Sequence, residues 1–331
     1  MATHSLYVDE SGAMKAQSGD PLGLRLVGGM LCAGDADHHR RTLAPAVRAG
    51  FDWFHESDPH ANELTSNKVR WVVRNTRAPI PWRLERVRRA PRVTDEIRRI
   101  CDDEAMRLRR GPLKAAREVE TLQVLVACEH DLEEEAGESR YQALLAAAVE
   151  RALWMLAHLG GKRELHVFVE PGATGWPKDG SGPAAIERAV TPVLQDIEAH
   201  HRLLGVAESS VVLGPIVTLP KNAHPGLTLA DFALYPIAAR EREKQRWHRL
   251  DCTTWSIARL HDLQSVSGLR IEATGPGAVS SLFRRWAIGE IDSAVAVNRL
   301  NGWCTSPPQG VLAAVAESTR DRIAGWTGRS R

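Results

Sequence analysis

The stretch Leu6-Tyr-Val-Asp-Glu-Ser-Gly12 places two carboxylates at the end of a short apolar run near the N-terminus. Its apolar residues predict a buried strand, and the final Ser-Gly pair turns the chain. A carboxylate at the end of such a strand loses hydration, which is costly unless a cation, hydrogen-bond donors or water compensate for it. Taken alone, the stretch is explained better by a strand that ends in a solvated turn than by a functional site. A functional role for Asp9 therefore requires partners elsewhere in the chain.

The length and charge of the chain leave several function classes open. Its 331 residues suffice for two domains, but we expect one large domain with additions. The net charge is +2, with 43 Lys and Arg against 41 Asp and Glu, so the overall charge neither favours nor excludes a nucleic-acid partner. Local distribution of charge must decide this point.

The cysteines and the N-terminus bear on the cellular compartment. Five cysteines lie far apart, without a Cys-x-x-Cys spacing, which predicts a reduced protein without a disulfide framework or a zinc signature. The N-terminal sequence enters a strand directly, and no apolar run is long enough to cross a bilayer. We therefore expect a cytoplasmic protein with no membrane partner. The sequence does not decide whether the protein forms a homodimer.

The hydrophobic pattern predicts an α/β domain. We expect strands over 24–32, 80–88, 164–170 and 210–218, with the first of these forming an antiparallel hairpin with the N-terminal strand. Helices are predicted over 41–54, from about 69, and over 141–159, 184–204 and 227–235. The region 94–160 reads as a helical insertion, with breaks near 111–112 and 137–139 and an apolar stripe over 118–128. We divide the chain into a domain over 1–246 and a C-terminal extension over 247–331 that packs on the core.

Five acidic residues stand in settings that suit a cation site. Asp9 and Glu170 follow predicted strands, and Asp231 lies within an apolar helix, an expensive position for a charge. Asp58 and Glu63 belong to the polar stretch over 56–64. Carboxylates that gather in one cleft repel each other unless protons are retained or a hard divalent cation enters, and oxygen ligands suit Mg²⁺ or Mn²⁺. Each residue taken singly also fits a solvated, capping or salt-bridged role.

The chain contains four ordered motifs: Tyr7-Val-Asp-Glu-Ser-Gly12, Asp58-Pro-His-Ala-Asn-Glu-Leu64, Val167-Phe-Val-Glu170 and Leu227-Thr-Leu-Ala-Asp-Phe232. They are similar to the landmarks of a bacterial family of unknown function in the ribonuclease H-like superfamily. The resemblance implies a mixed sheet flanked by helices and an acidic metal centre, with Asp9 as the first-strand ligand and Asp231 as the ligand from the late helix. Glu170 stands where the family usually has aspartate, and the choice between Asp58 and Glu63 stays open.

A second group of residues suggests a polyanion. Arginines are densest over 83–99 and continue to 117, where they would follow a phosphate backbone if they shared one face. The chain is arginine-rich throughout and acidic residues interleave, so a solvated surface explains the pattern equally well. The predicted nucleic-acid contacts are Arg86, Arg88, Arg89 and, from the loop over 172–183, Lys178. The ten tryptophans include candidate stacking platforms, although most tryptophans belong to cores or interfaces.

These observations favour a Mg²⁺- or Mn²⁺-dependent nuclease that hydrolyses phosphodiester bonds, with Asp9, Glu170, Asp231 and either Asp58 or Glu63 as ligands. No serine or cysteine stands beside a convincing base, so no covalent nucleophile is expected. Two alternatives stay open. One is a catalytically weak module that binds a partner or acts as a sensor, and the other is a metal-dependent phosphatase acting on a small molecule.

Overall fold

The strands of the chain form one mixed sheet. The computed structural model describes residues 1–11, 24–49, 52–57, 64–119, 122–130, 137–170, 176–203, 208–220, 223–234, 254–255, 282, 291–305, 317, 319–321 and 323–324. The strands are Ala2–Ser11 (β1), Leu24–Ala33 (β2), Leu122–His130 (β3), Lys162–Val169 (β4), Ser210–Thr218 (β5) and Thr254–Trp255 (β6). Their order in the sheet is β5-β4-β1-β2-β3-β6. The prediction of an α/β fold with a mixed sheet is confirmed.

Helices flank the sheet. They span Ala36–Arg48 (α1), Asp52–Ser57 (α2), Ser66–Asn75 (α3), Glu85–Arg89 (α4), Asp95–Val119 (α5), Gly137–Leu159 (α6), Gly182–Leu203 (α7), 225–234 (α8) and Ser293–Thr305 (α9), and a 3₁₀ turn covers Trp82–Leu84. Side-chain caps begin α1, α3, α5 and α9. Asp35 accepts from the His38 amide at 2.7 Å, Thr65 from the Lys68 amide at 3.2 Å, Thr94 from the Ile97 amide at 3.2 Å and Asp292 from the Val295 amide at 2.8 Å. Of the helices in the described ranges, none combines the length and apolarity needed to cross a bilayer.

β1 is the central strand that organises the sheet. It pairs antiparallel with β2 from His4↔Ala33 to Ser11↔Leu26, which confirms the predicted hairpin, and parallel with β4 from Ala2↔Arg163 to Val8↔Val169. The side chains of Leu6, Tyr7 and Val8 are fully buried, so both faces of β1 are covered. Continuous burial of this kind explains the uninterrupted apolar run in the sequence.

Different helices cover the sheet around β1. The Tyr7 ring contacts His39 of α1 and lies against Gly226 of α8, so these two helices cover the face to which Tyr7 points. α6 packs across β1 to β5, and α7 packs on α6 and β5. α5 packs against α1 and α3, which completes a second group of helices.

The strand predicted over 80–88 is wrong. Extended backbone ends at Pro81, after which the chain forms the 3₁₀ turn and α4. Leu84 and Val87 are both fully buried, and their spacing of three residues is that of a helical face. The alternation of apolar and charged residues that suggested a strand was a short coincidence within this turn.

The helical insertion predicted over 94–160 is also wrong in part. The stripe over 118–128 falls largely on β3, which pairs with β2 from Leu24↔His130 to Cys32↔Leu122. A short apolar run fits a buried strand as well as a buried helix, and pairing with β2 decides between them. α5 is also continuous through Gly111-Pro112, because Leu108, Leu113 and Ala116 bury its inner face.

Two further predicted boundaries concern the first helix and the start of the C-terminal extension. The helix predicted over 41–54 is divided between α1 and α2. The boundary between 246 and 247 stays a prediction. The two residues of β6 lie beyond this boundary and pair with β3 at Cys128↔Trp255 and Glu129↔Thr254.

Candidate acidic site

Asp9 and Glu170 are the residues that follow the last pair of the parallel ladder between β1 and β4. The prediction that the first strand ends before Asp9 is wrong, because β1 continues to Ser11 in its pairing with β2. The last residue pair of β1 and β4 is Val8↔Val169, so the next residue of each strand is one of the two carboxylates. Asp9 is only 6% exposed, because β2 pairs with it through Gly28 on the other side. Asp9 and Glu170 therefore occupy neighbouring positions in the β1–β4 register, at the end of the sheet to which the carboxyl ends of these parallel strands point.

The aromatic residues that precede them show which way these carboxylates point. The rings of Tyr7 and Phe168 stack with centroids 5.1 Å apart and an interplanar angle of 20°, so both lie on one face of the sheet. Side chains two residues apart in a strand point to the same face. Asp9 and Glu170 are thus directed toward the face that α8 covers.

Two glycines allow α8, which carries Asp231, to approach the sheet closely. A Cβ added to Gly226 would lie 2.5 Å from Cγ of Tyr7, and one added to Gly29 of β2 would lie 3.1 Å from Cβ of Ala230. α8 therefore runs from the Tyr7 ring toward Gly29. Gly29 pairs with Val8, the residue that directly precedes Asp9 in β1.

Asp231 directly follows Ala230 in α8 and carries an unusual oxygen. Its Oδ2 atom is buried and has no hydrogen-bond partner in the described part of the chain. A buried polar atom left without a partner costs roughly 1–3 kcal/mol, and more when it is charged. Such an atom is a ready acceptor for a donor or a cation.

Tyr141 of α6 is the residue that sequence reasoning missed. Its side chain is fully buried, and its hydroxyl has no hydrogen-bond partner within the described residues. Burial raises the pKa of Tyr141 well above its ordinary value of 10.0, and the negative charges of Glu10, Asp9 and Glu170 raise it further. These three carboxylates thus act on one buried phenol. Nothing in the local sequence marks this tyrosine, which stands in an Ala- and Leu-rich helix.

A buried hydrogen-bond network ties β1 to α1. The Nε2 atom of His39 lies 2.8 Å from the Ala33 carbonyl and donates to it, so Nδ1 is left to accept from the Tyr7 hydroxyl at 2.9 Å. His39 is fully buried, and both of its ring nitrogens are used. The hydroxyl of Tyr7 is thereby fixed beneath α8.

His224 joins the start of α8 to the same network. Its Nδ1 accepts from the Gly226 amide at 3.0 Å, so its Nε2 carries the hydrogen and donates to the Ala36 carbonyl at 2.8 Å. The ring stacks on Tyr7 with a centroid distance of 4.6 Å. Burial lowers the pKa of His224 below its ordinary value of 6.5. The neutral imidazole therefore anchors the helix that carries Asp231.

The remaining predicted ligands and cations have separate positions. Asp58 and Glu63 lie outside the described residues, and the next residue, Leu64, is buried with its carbonyl accepting a hydrogen bond from Arg109. The predicted nucleic-acid contacts differ among themselves. Arg86 pairs with Glu96 at 2.8 Å, Arg88 donates to the carbonyls of Val73 and Ala78, and Arg89 and Lys178 are exposed.

The oxygen atoms of these carboxylates are the kind of ligand that a hard divalent cation prefers, but the side chains are not gathered into a closed cluster. Carboxylate oxygens suit Mg²⁺ or Mn²⁺, and the buried Oδ2 of Asp231, which has no hydrogen-bond partner among the described residues, is an acceptor that such a cation would use. Among the described residues, no three His, Cys, Asp or Glu side chains are grouped closely enough to hold one metal ion. Two of the candidate ligands, Asp9 and Glu170, thus belong to the sheet, and Asp231 belongs to α8. A fourth ligand is predicted to come from the segment 58–63.

Comparison of the chain with protein-family models and with curated proteins finds no match.

Proposed function

We propose that the chain is a divalent-metal-dependent nuclease that hydrolyses phosphodiester bonds. The observation that carries this proposal is the placement of Asp9 and Glu170 as register neighbours below the helix that bears the unpartnered Asp231 oxygen. Asp9 and Glu170, which are far apart in sequence, share one end of the sheet, and Asp231 belongs to the helix that packs on Tyr7 and Gly29. Structural carboxylates seldom combine burial with a missing partner, whereas functional ones often do.

The sheet supports a ribonuclease H-like fold for this nuclease. Its central first strand has an antiparallel hairpin partner on one side and two parallel strands on the other, which agrees with the mixed sheet that the resemblance implies. The resemblance in four motifs and this strand arrangement are independent, because none of the motifs specifies the strand order.

The side chains of the proposed site have distinct roles. Asp9, Glu170 and Asp231 would hold the cation, with Asp58 or Glu63 as a further ligand. When bound, divalent cations activate water and stabilise the leaving oxygen of a phosphodiester. The raised pKa of Tyr141 keeps its hydroxyl protonated, so this residue offers a hydrogen-bond donor amid the carboxylates. The network of Tyr7, His39 and His224 holds α8 in place.

A cleavage assay tests the proposal. Labelled single- and double-stranded DNA and RNA are incubated with the full chain and Mn²⁺ or Mg²⁺, and the wild type is compared with Asp9→Ala and Asp231→Ala. We expect cleavage by the wild type and its loss in both variants with folding intact. If neither cleavage nor stabilisation by the metal occurs in the wild type, the proposal fails.

One observation favours a second function, a ribonuclease H-like module that binds a partner without efficient catalysis. The acidic side chains of the described residues do not form a closed group of three, and Glu170 is one methylene longer than the aspartate usual in the resembling family. This alternative predicts nucleic-acid binding without cleavage under any of the metal conditions.

A further inference from the structure

Positive charge is concentrated on one segment of the chain, residues 66–99. This segment contains α3, the 3₁₀ turn, α4 and the start of α5, and all of it is described. It holds eleven Lys and Arg residues against three acidic ones, a net charge of +8, so the rest of the chain carries −6 and the whole chain +2. Charge segregated in this way creates a positive potential that attracts polyanions.

The same segment exposes two tryptophans. Trp82 is 87% exposed and Trp71 is 58% exposed, and among the residues whose side-chain burial the structure describes they are the only exposed large aromatic ones. By contrast, Trp154 and Trp176 are buried in the core. Single exposed indole rings are common on protein surfaces, but these two lie on the segment with the most positive charge, which combines aromatic and cationic surface.

Cations flank each exposed indole at helical spacing. Lys68 precedes Trp71 by three residues and Arg74 follows it by three, so both lie one turn away on α3. Arg86 follows Trp82 by four residues across the 3₁₀ turn and α4. Arg86 pairs with Glu96 and Arg74 donates to the Ala90 carbonyl, so these two cations contribute positive potential beside the indoles while they are engaged within the protein. Proteins that bind single-stranded nucleic acid combine these two features, since bases stack on aromatic rings while cations contact the phosphates.

The arginines of the segment divide into two groups. Six of its ten arginines are engaged within the protein. Arg83 pairs with the buried Glu104, Arg86 with Glu96, Arg89 with Glu85 and Arg98 with Asp95, while Arg74 and Arg88 donate to backbone carbonyls. Arg77 and Arg92 are exposed and make no ion pair or side-chain hydrogen bond within the described part of the chain. This second group is available for an external anion.

An open groove adds a place for a nucleotide. It lies between α4 and the start of α5 and has a volume of about 750 Å³. Three arginines, two glutamates and the apolar side chains of Pro91 and Ile97 line it. Glu85 and Glu96 pair with Arg89 and Arg86, so Arg92 is the lining arginine that makes no ion pair within the described residues. Ligand pockets have volumes of roughly 300–1,000 Å³ and combine apolar walls with a few polar groups, and a base beside a phosphate meets that description.

We propose that segment 66–99 is a platform for single-stranded nucleic acid, on which Trp71 and Trp82 stack unpaired bases while Arg77 and Arg92 contact phosphates. The choice of nucleic acid as the ligand rests on the proposed function. Bases in a duplex are already stacked on each other, so exposed indoles select an unpaired strand. The platform directly follows Leu64, which ends the polar stretch with the candidate ligands Asp58 and Glu63.

Fluorescence anisotropy with labelled oligo(dT) and a duplex of equal length tests this inference. The measurements are made in EDTA, so that binding is observed without cleavage. We expect tighter binding of the single strand, and a roughly tenfold or greater loss of affinity in the Trp71→Ala/Trp82→Ala variant. Arg77→Ala and Arg92→Ala should each reduce the slope of log affinity against log salt by about 0.7.

Two controls and three contrary results complete the test. Val295→Ala on α9 and Arg202→Ala on α7 change exposed residues away from the platform and should leave binding unaltered. Asp231→Asn should abolish cleavage and retain binding, which separates this inference from the proposed function. Equal affinity for the duplex, binding unaffected by the double tryptophan substitution, or equal binding of polyglutamate would each overturn the platform.

Discussion

The acidic end of the sheet and the basic platform over 66–99 differ most in their contact with solvent. Asp9 and Tyr141 are buried, and the Asp231 oxygen lies in a place where an unbalanced charge is expensive. Trp82 and Arg92 stand in water, where each interaction is weak and screened by salt. The buried site therefore concentrates its chemistry in a few residues, whereas the platform spreads its effect over many.

The largest effects are expected at the acidic site. Asp9→Asn and Asp231→Asn keep the shape of each side chain and remove its charge, so metal-dependent cleavage should fall by roughly 100-fold or more. Initial rates with Mn²⁺ measure this loss. Asp103→Asn alters an exposed carboxylate on α5 and serves as the matched control. Cleavage retained by both site variants would remove the acidic site from the mechanism.

The next effect concerns the close approach of α8 to the sheet. Gly226→Ala should lower the free energy of unfolding by about 1–3 kcal/mol, because its Cβ would overlap the Tyr7 ring. Urea denaturation measures the change. In a Tyr7→Ala background the ring is absent, so the same substitution should cost much less. Equal costs in the two backgrounds would show that α8 is not held against Tyr7.

Acid should loosen the attachment of α8. Burial holds the pKa of His224 in the folded chain below 6.5. At pH values between this lowered pKa and 6.5, the unfolded chain therefore takes up a proton that the folded chain does not. The free energy of unfolding therefore falls as the pH drops below 6.5, by up to about 1.4 kcal/mol per pH unit for this proton.

Stability curves from pH 7.5 to 5 check this expectation. His224→Asn should flatten the dependence, whereas His38→Asn, at an exposed histidine of α1, should leave the slope unchanged. The pKa of His4 is also lowered, chiefly by burial, so part of the slope should persist in His224→Asn. An unchanged slope in that variant would contradict a neutral His224 in the buried network.

The smallest effects separate two arginines of the basic segment. Arg88→Ala should lower stability by about 1 kcal/mol, because its guanidinium joins the end of α3 to α4, and should leave the salt slope of binding unchanged. Arg92→Ala should reverse this pattern, with unaltered stability and a shallower slope. Chemical denaturation and anisotropy at several salt concentrations distinguish them. Identical behaviour of the two variants would erase the division between structural and binding arginines.

The parts of the fold that sequence predicted are those with local signals. The hairpin of β1 and β2 follows from two apolar runs separated by turn residues, and α7 follows from its helical periodicity. The cost of a charge among apolar neighbours marked Asp231 before its position was known. The unpartnered Oδ2 atom is the structural counterpart of that cost.

The features that sequence missed depend on contacts between distant elements. The sequence of β3 was interpreted as an apolar stripe of a helix, because only its pairing with β2 decides how this apolar run folds. Tyr141 shows no pattern of its own, and its position beside Asp9, Glu10 and Glu170 arises from the packing of α6. The pairing of His39 and His224 with Tyr7 likewise joins residues from three parts of the chain.

Calorimetric titration of the full chain with Mn²⁺ tests the central claim most directly. The account predicts saturable binding by the wild type, at least tenfold weaker binding by Asp231→Asn, and wild-type affinity in the Asp103→Asn control. Equal Mn²⁺ affinity in all three proteins, or no binding by the wild type, would contradict a metal centre at this end of the sheet.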